Sequence, residues 1–210
     1  MTSSFPNETA EYRDARNELL RKEQEVGQLL AEVKSLREQL PPGGEIRDYV
    51  FERLTASGSV EQVSIVDLFP EGVDTLMVYS MMFGPERDAA CPFCTAYLTN
   101  LDASVKSLEN KAGFVVTVRS PVQRLADWAD AKGWQNFTLV SDAPSTFHQD
   151  YDGYNPETGD EGSAFNIFVR DGDTIRHYWG SEDLNMPGGD CYYDLIDPAM
   201  NLENLVHKRR

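Results

Sequence analysis

The sequence predicts an α/β fold: a buried central sheet of alternating strands and helices, preceded by one long amphipathic helix. Three observations carry that expectation. Tyr12, Ala15, Leu19, Val26, Leu29, Val33, Leu36 and Leu40 recur at alternating steps of three and four, with Lys22 the one polar member of the series. That period gathers the apolar side chains on one helical face. Thr75-Leu76-Met77-Val78-Tyr79-Ser80-Met81-Met82 is a nearly continuous apolar run, the mark of a strand covered on both faces. Beyond it, strand-like and helix-like segments alternate, as in a sheet whose parallel strands are joined by crossover helices.

The helical arm spans about residues 7–40. Asn7 or Thr9 can cap it, Glu8 and Glu11 suit the positive end of its dipole, and Pro41-Pro42-Gly43-Gly44 ends it. Residues 1–44 therefore read as an arm for packing or dimerisation, and residues 45–210 as the main domain. Two readings of the arm stay open. It pairs with a second copy as a short coiled coil, or it lies along its own domain.

Residues 45–62 read as a connector and residues 63–69 as a short strand or edge segment before the Pro70-Glu71-Gly72 turn. Phe83-Gly84-Pro85 breaks the buried run. A helix is expected from Cys91-Pro92 to about Asn110, then a strand over 113–119. Ser120 as cap and Pro121 as first residue open another helix, which stops at Gly133. Residues 137–140 form a third strand. Residues 141–163 are irregular and acidic. Residues 164–170 and 174–179 flank Asp171-Gly172-Asp173, a β-hairpin signal. Residues 198–206 read as a short helix.

The chemistry concentrates in Cys91-Pro92-Phe93-Cys94. A spacing of three on a first helical turn brings two sulfurs onto one face, close enough to bond. Pro92 suits the first helical position, where its missing N–H costs nothing. Cys91 then sits at the N-cap, where unpaired N–H groups and the helix dipole favour a thiolate. Cys94, one turn in, is the expected resolving thiol. Should the strand ending at Arg119 neighbour the strand ending near Met82, Arg119 and Ser120 approach Cys91, and the guanidinium favours the thiolate further. The competing readings are a pair of structural cysteines, or zinc. Zinc needs four ligands, and Cys191, His148, His177 and His207 offer no second paired spacing. No metal and no cofactor are expected.

Composition narrows the partners. The 210 residues carry 19 Lys+Arg against 35 Asp+Glu, a net charge of −16. Such a chain is ill suited to neutralise phosphates, so nucleic acid and anionic membrane surfaces are disfavoured. Residues 141–200 alone hold a net −11, so a neutral or cationic substrate is favoured if they border Cys91. Three cysteines and no signal-like or spanning apolar segment are the expectation for a soluble, cytoplasmic protein. Asp150-Tyr151-Asp152-Gly153-Tyr154-Asn155-Pro156-Glu157 lacks EF-hand spacing and reads as a solvated loop. His148 reads as a polar surface or loop residue. Cys191 reads as a semi-buried structural thiol. Gly188-Gly189-Asp190 resembles a glutathione-contacting turn of glutaredoxins, but it lies after the hairpin behind Pro187 and reads as coincidence. Tyr151, Tyr154, Tyr178, Trp179, Tyr192 and Tyr193 read mostly as packing, with a lid over Cys91 as the alternative.

With these residues set out, the chain resembles the thioredoxin-fold superfamily in its peroxiredoxin-like branch. It is similar to a bacterial thioredoxin-like family, a domain of unknown function. The matching stretches are Tyr12-Arg13-Asp14-Ala15-Arg16-Asn17-Glu18-Leu19-Leu20, Leu40-Pro41-Pro42-Gly43-Gly44, Met82-Phe83-Gly84-Pro85 ahead of the cysteine motif, and Phe168-Val169-Arg170-Asp171-Gly172-Asp173. The resemblance implies a three-layer fold with a central mixed sheet, and a thiol–disulfide role for Cys91 and Cys94 supported by Pro92 and Phe93. Two departures stand out. The place of the superfamily's cis-proline falls at or beside Ala164, with Ser163 before it. The peroxiredoxin signature would put Thr or Ser at position 88 and Pro at 84, where Asp88 and Gly84 stand. The expected function is thus a thiol–disulfide oxidoreductase acting on a protein or small-molecule disulfide, not a typical peroxidase. The alternative is a non-catalytic thioredoxin-fold module with structural cysteines.

Overall fold

The computed structural model describes residues 5–108 and 111–181. The chain divides into two compact units, Met1–Leu40 and Pro41–Arg210. The first is the helix α1 (Ala10–Glu38), 29 residues long. Thr9 is its N-cap, the hydroxyl accepting the Tyr12 N–H at 3.2 Å. Glu11 in the first turn and Arg37 in the last complement the dipole. The expected helix 198–206, Gly188-Gly189-Asp190, Cys191, Tyr192 and Tyr193 lie outside the described residues.

The second unit is built on a seven-stranded mixed sheet, counted among the described residues. In chain order the strands are β1 (Val50–Leu54), β2 (Val60–Ser64), β3 (Thr75–Ser80), β4 (Gly113–Val118), β5 (Thr138–Ser141), β6 (Ala164–Asp171) and β7 (Thr174–Gly180). They lie in the order β2-β1-β5-β4-β3-β6-β7. β3, β4 and β5 are parallel, and the flanking pairs are antiparallel. Every residue of β3 and of β4 is buried, which is why both read as unbroken apolar runs. Side chains alternate across the sheet. Met77, Tyr79, Phe114, Val116, Val118, Phe165 and Ile167 face α2 (Pro92–Val105) and α3 (Val122–Lys132). Leu76, Val78, Val115, Val140 and Phe168 face the opposite layer, which holds Tyr49, Phe51, Ile65, Leu68 and α4 (Phe147–Asp150).

Several boundaries differ from the sequence expectation. The connector 45–62 contains β1, paired with β2 from Val50↔Ser64 to Leu54↔Val60. β2 ends at Ser64 because the chain turns there into a 3-10 segment, Ile65–Leu68. The Ser64 side chain accepts the Val66 N–H and the Asp67 carboxylate accepts the Ser64 N–H. α2 stops at Val105 and passes into another 3-10 turn, Lys106–Leu108. The cap of α3 is Pro121 rather than Ser120, and Gly133 closes that helix at φ 74°. The β6–β7 hairpin turns at Gly172-Asp173, with Gly172 at φ 63°.

α4 is anchored by Asp150, which pairs with Arg47 and accepts hydrogen bonds from Tyr49 Oη at 2.8 Å and Thr146 Oγ1 at 2.6 Å. Burial pushes the Asp150 carboxyl up, but Thr146, Tyr49 and Arg47 together outweigh it and hold it below its ordinary 3.8. A folded-state value below the unfolded one stabilises above the ordinary value and is lost as pH falls through the folded value. Asp150→Asn is therefore expected to lower the neutral-pH stability by about 1 kcal/mol or less. Thermal melts should show the gap to the parent closing as pH drops below 3.8.

Among the described residues, no helix is long and apolar enough to cross a membrane.

Candidate functional site

Cys91 caps α2 and Pro92 occupies its first turn, where no N–H is needed. The Cys91 N–H donates to Met82 O at 3.0 Å, so residues 83–90 form a loop closed at its neck. The Cys91 carbonyl accepts from Thr95 N at 3.0 Å and Thr95 Oγ1 at 2.9 Å, which fixes the first turn. Neither Cys91 nor Cys94 is disulfide-bonded. The two thiols lie within hydrogen-bonding reach of each other. Cys91 retains 6% exposure and Cys94 1%, while Phe93 between them is 79% exposed. The motif thus presents its Pro-Phe edge to solvent and its sulfurs inward, Cys91 the nearer to the surface.

Burial pushes the Cys94 thiol up to about 11. Tyr79 and the Met82 backbone oppose that rise by favouring the charged thiolate, and Cys91 adds to it. Tyr79 is itself held in the core, stacked on Tyr97 with centroids 5.2 Å apart. Cys94 is therefore almost wholly protonated at neutral pH.

The loop ahead of Cys91 is gripped by cations. Ser120 N donates to Phe83 O at 3.2 Å. Arg124 donates to Arg87 O at 2.6 Å, and its guanidinium lies 4.5 Å from the Phe83 ring centroid. Arg87 and Arg119 share one carboxylate. Arg87 Nε lies 2.5 Å from Glu161 Oε2, and Arg119 Nη1 lies 3.0 Å from Glu161 Oε1. The Glu161 side chain is only 6% exposed. Arg119 also covers the Tyr154 ring at 3.5 Å and reaches Glu86 at 3.7 Å. Gly84 permits this convergence. A Cβ there would lie 3.0 Å from Arg119 Nη1 and would collide with the Glu161 carboxylate.

These placements answer the sequence expectations one by one. β3 and β4 are neighbours, so the condition attached to Arg119 is met. Its guanidinium, however, is directed to Glu161, Glu86 and Tyr154. Ala164 begins β6 in register with Ser80 at the C-terminal end of β3, the strand that leads to the cysteine loop. Among the described residues no peptide bond is cis. Tyr154 lies over Arg119 and Tyr151 packs in the second core, so the aromatic residues of this loop anchor it. His148 is a correction. It is 2% exposed and faces Asp142, because α4 turns it inward behind Phe147. Glu161 and Tyr79 were not foreseen. Glu161 is one acidic residue among many in its segment, and Tyr79 sits unmarked inside an apolar run.

The bacterial protein family of unknown function DUF899 matches residues 1–201. The chain belongs to this family. No curated protein matches it. Solved structures resemble this DUF899 chain at the level of fold. Enterococcus faecalis AhpC aligns with a TM-score of 0.52 and 14% identity, covering 73% of this chain and 89% of that one. Reduced Prx3 from Vibrio vulnificus, in complex with hydrogen peroxide, aligns at 0.51 and 12%, covering 71% and 91%. Reduced Plasmodium vivax 2-Cys peroxiredoxin aligns at 0.50 and 14%, covering 68% and 72%. The DUF899 chain thus has a thioredoxin-like fold, with the N-terminal helix α1 ahead of it in sequence.

Proposed function

We propose that this DUF899 protein is a thiol–disulfide oxidoreductase whose working pair is Cys91 and Cys94. The observation that carries the reading is the pairing of two thiols on the first turn of α2, Cys91 at the N-cap and the less exposed Cys94 one turn in. In the reductive direction the Cys91 thiolate attacks one sulfur of a substrate disulfide. A Cys91–substrate S–S bond forms, the substrate S–S bond breaks, and the second substrate sulfur leaves as a thiolate. Cys94 then loses its proton to solvent and attacks Cys91 Sγ, releasing the substrate as a dithiol and leaving a Cys91–Cys94 disulfide. An external dithiol must reduce that bond for turnover.

The acidic loop favours neutral or cationic substrates. Hydrogen peroxide, the partner of the Vibrio vulnificus neighbour, is disfavoured here because Asp88 and Gly84 stand where a peroxiredoxin signature has a hydroxyl residue and a proline.

The test is the mass and potential of the pair. Equilibration against a dithiol redox buffer should convert the protein between two species differing by two hydrogens, with both thiols alkylated only in the reduced one. The burial of both sulfurs favours a second reading, a structural pair. A pair that stays reduced and unreactive at every potential decides for that reading. The raised Cys94 thiol adds a further expectation. The resolving step should accelerate about tenfold per pH unit from neutrality toward that value, as followed by the decay of the mixed disulfide in stopped-flow mixing.

A further inference from the structure

The sheet carries a second polar cluster, on the face away from the cysteines. β3, β4 and β5 each place apolar side chains on that face, Val78, Val115 and Val140. The next residue on the same face of each chain, two positions on, is polar: Ser80, Thr117 and Asp142. All three are at most 2% exposed, as is His148 of α4. Ser80 and Thr117 are in register on adjacent strands. Asp142 follows β5, and its N–H donates to Val118 O at 3.0 Å. His148 is brought to them from α4. Its backbone N–H donates to Asp142 Oδ2 at 2.7 Å. Its ring Nδ1 lies 2.8 Å from that same oxygen but off the line of a hydrogen bond. Gly153 closes over the group. A Cβ at Gly153 would lie 2.7 Å from His148 Cδ2 and 3.0 Å from Ser80 Cβ.

Five side-chain atoms of this cluster lack a hydrogen-bond partner. Ser80 Oγ, Thr117 Oγ1, Asp142 Oδ1 and both ring nitrogens of His148 are buried without a hydrogen-bond partner. Asn166 lies on the same face of β6 and makes a useful contrast. It bonds to His177 at 2.9 Å and to Tyr151 O at 3.3 Å. An orphaned buried polar group forfeits the hydrogen bonds it made to water in the unfolded chain, so several gathered at this face of the sheet call for an occupant. The donor set selects its class. Two hydroxyls and an imidazole both donate and accept, and one carboxylate accepts. A divalent cation would meet a single formal negative charge, too little for its usual oxygen cage. Water can donate to Asp142 Oδ1 and accept from a hydroxyl; a buried water needs room and two to four polar partners, and the orphaned side chains on this face supply the partners.

We infer that Ser80, Thr117, Asp142 and His148 enclose an internal water site that fastens the segment around α4 to the ends of β3 and β4. The consequence reaches the cysteine side. Ser80 leads into the cysteine loop, Thr117 precedes Arg119, and the chain beyond His148 carries Tyr154 and Glu161, which hold Arg119. The inference does not depend on the redox reading.

Two measurements test it on the full chain. A crystal structure that resolves solvent should show water within hydrogen-bonding distance of at least two of the four side chains. Hydrogen exchange should report the fastening through Gly153 and Tyr154, whose N–H groups donate to His148 O at 2.7 and 3.0 Å. Thr117→Val should speed exchange at these two amides by about tenfold, the equivalent of one lost hydrogen bond, with the amides of β3 unchanged. Ser80→Ala gives the same readout if Thr117→Val does not fold. A dry site overturns the inference. So does unchanged exchange in the variant, or a variant that melts higher than the parent, since deleting a hydroxyl that bonds to nothing relieves its desolvation.

Discussion

Cys91→Ser is expected to abolish reduction of a chromogenic aromatic disulfide, bringing the rate to that of buffer. Cys94→Ser is expected to stop turnover while preserving the first attack. The two variants differ because the pair divides one reaction into two steps. A hydroxyl at position 91 is a far weaker nucleophile toward sulfur than a thiolate, so no S–S bond forms. With serine at 94 the bond to Cys91 forms and then has no resolving thiol, so the mixed disulfide accumulates. Intact mass should find the adduct on Cys94→Ser and none on Cys91→Ser. The expectation follows from the geometry of the turn. Cys91 is the N-cap and the less buried of the two, whereas Cys94 lies 1% exposed with its thiol pushed up to about 11. An adduct that formed equally on either variant would mean that the two sulfurs are equivalent, and would defeat the division of roles. Loss of folding is not the expected cause of inactivity, because a serine nearly matches the cysteine in size; a thermal melt of each variant checks that.

The elements that build the cysteine site were the most legible in the sequence. β3 is apolar at nearly every position because both its faces are covered, and Cys91-Pro92 announces the start of a helix by local chemistry alone. The hairpin likewise rests on Asp171-Gly172-Asp173, where Gly172 adopts the positive φ that the turn requires. What escaped was set by partners far away in the chain. β1 reads as a connector because only Phe51 of its five residues is buried, so its apolar pattern is faint. Ile65 looked like a continuation of β2, yet Ser64 and Asp67 form a capping box that forces a turn there. The signal lies in the spacing of Ser64 and Asp67. His148 looks like a loop histidine until Asp142, six residues earlier, is seen to take its backbone N–H. Glu161 has no local mark at all. It lies among the residues that give segment 141–200 its net charge of −11, and only the approach of Arg87 and Arg119 sets it apart.

That approach makes Glu161→Ala the largest stability effect expected from a single substitution at the site. Removing one member of a buried ion pair leaves the other charge uncompensated, typically at about 3–5 kcal/mol. Here the loss falls below that range, because the stranded cations are not fully buried. The Arg119 side chain is 17% exposed and that of Arg87 39%, and Arg119 keeps Glu86 and the Tyr154 ring. The expected cost is about 2 kcal/mol, which for a chain of this size lowers the melting temperature by about 4–8 °C. Glu161→Gln should recover part of it, since an amide oxygen still accepts one guanidinium hydrogen bond. The effect should also be coupled to the arginine. In the Arg119→Met background, Glu161→Ala should cost clearly less than in the parent, because one of the two charges it strands is already gone and only Arg87 remains. A double-mutant cycle with no coupling would show that Glu161 acts by filling space beside Gly84. Coupling would establish it as the carboxylate that fastens the acidic loop to Arg119 at the end of β4, beside the loop that carries Arg87. The charge of segment 141–200 would then have a structural use, with one of its many carboxylates holding two arginines at the neck of the site.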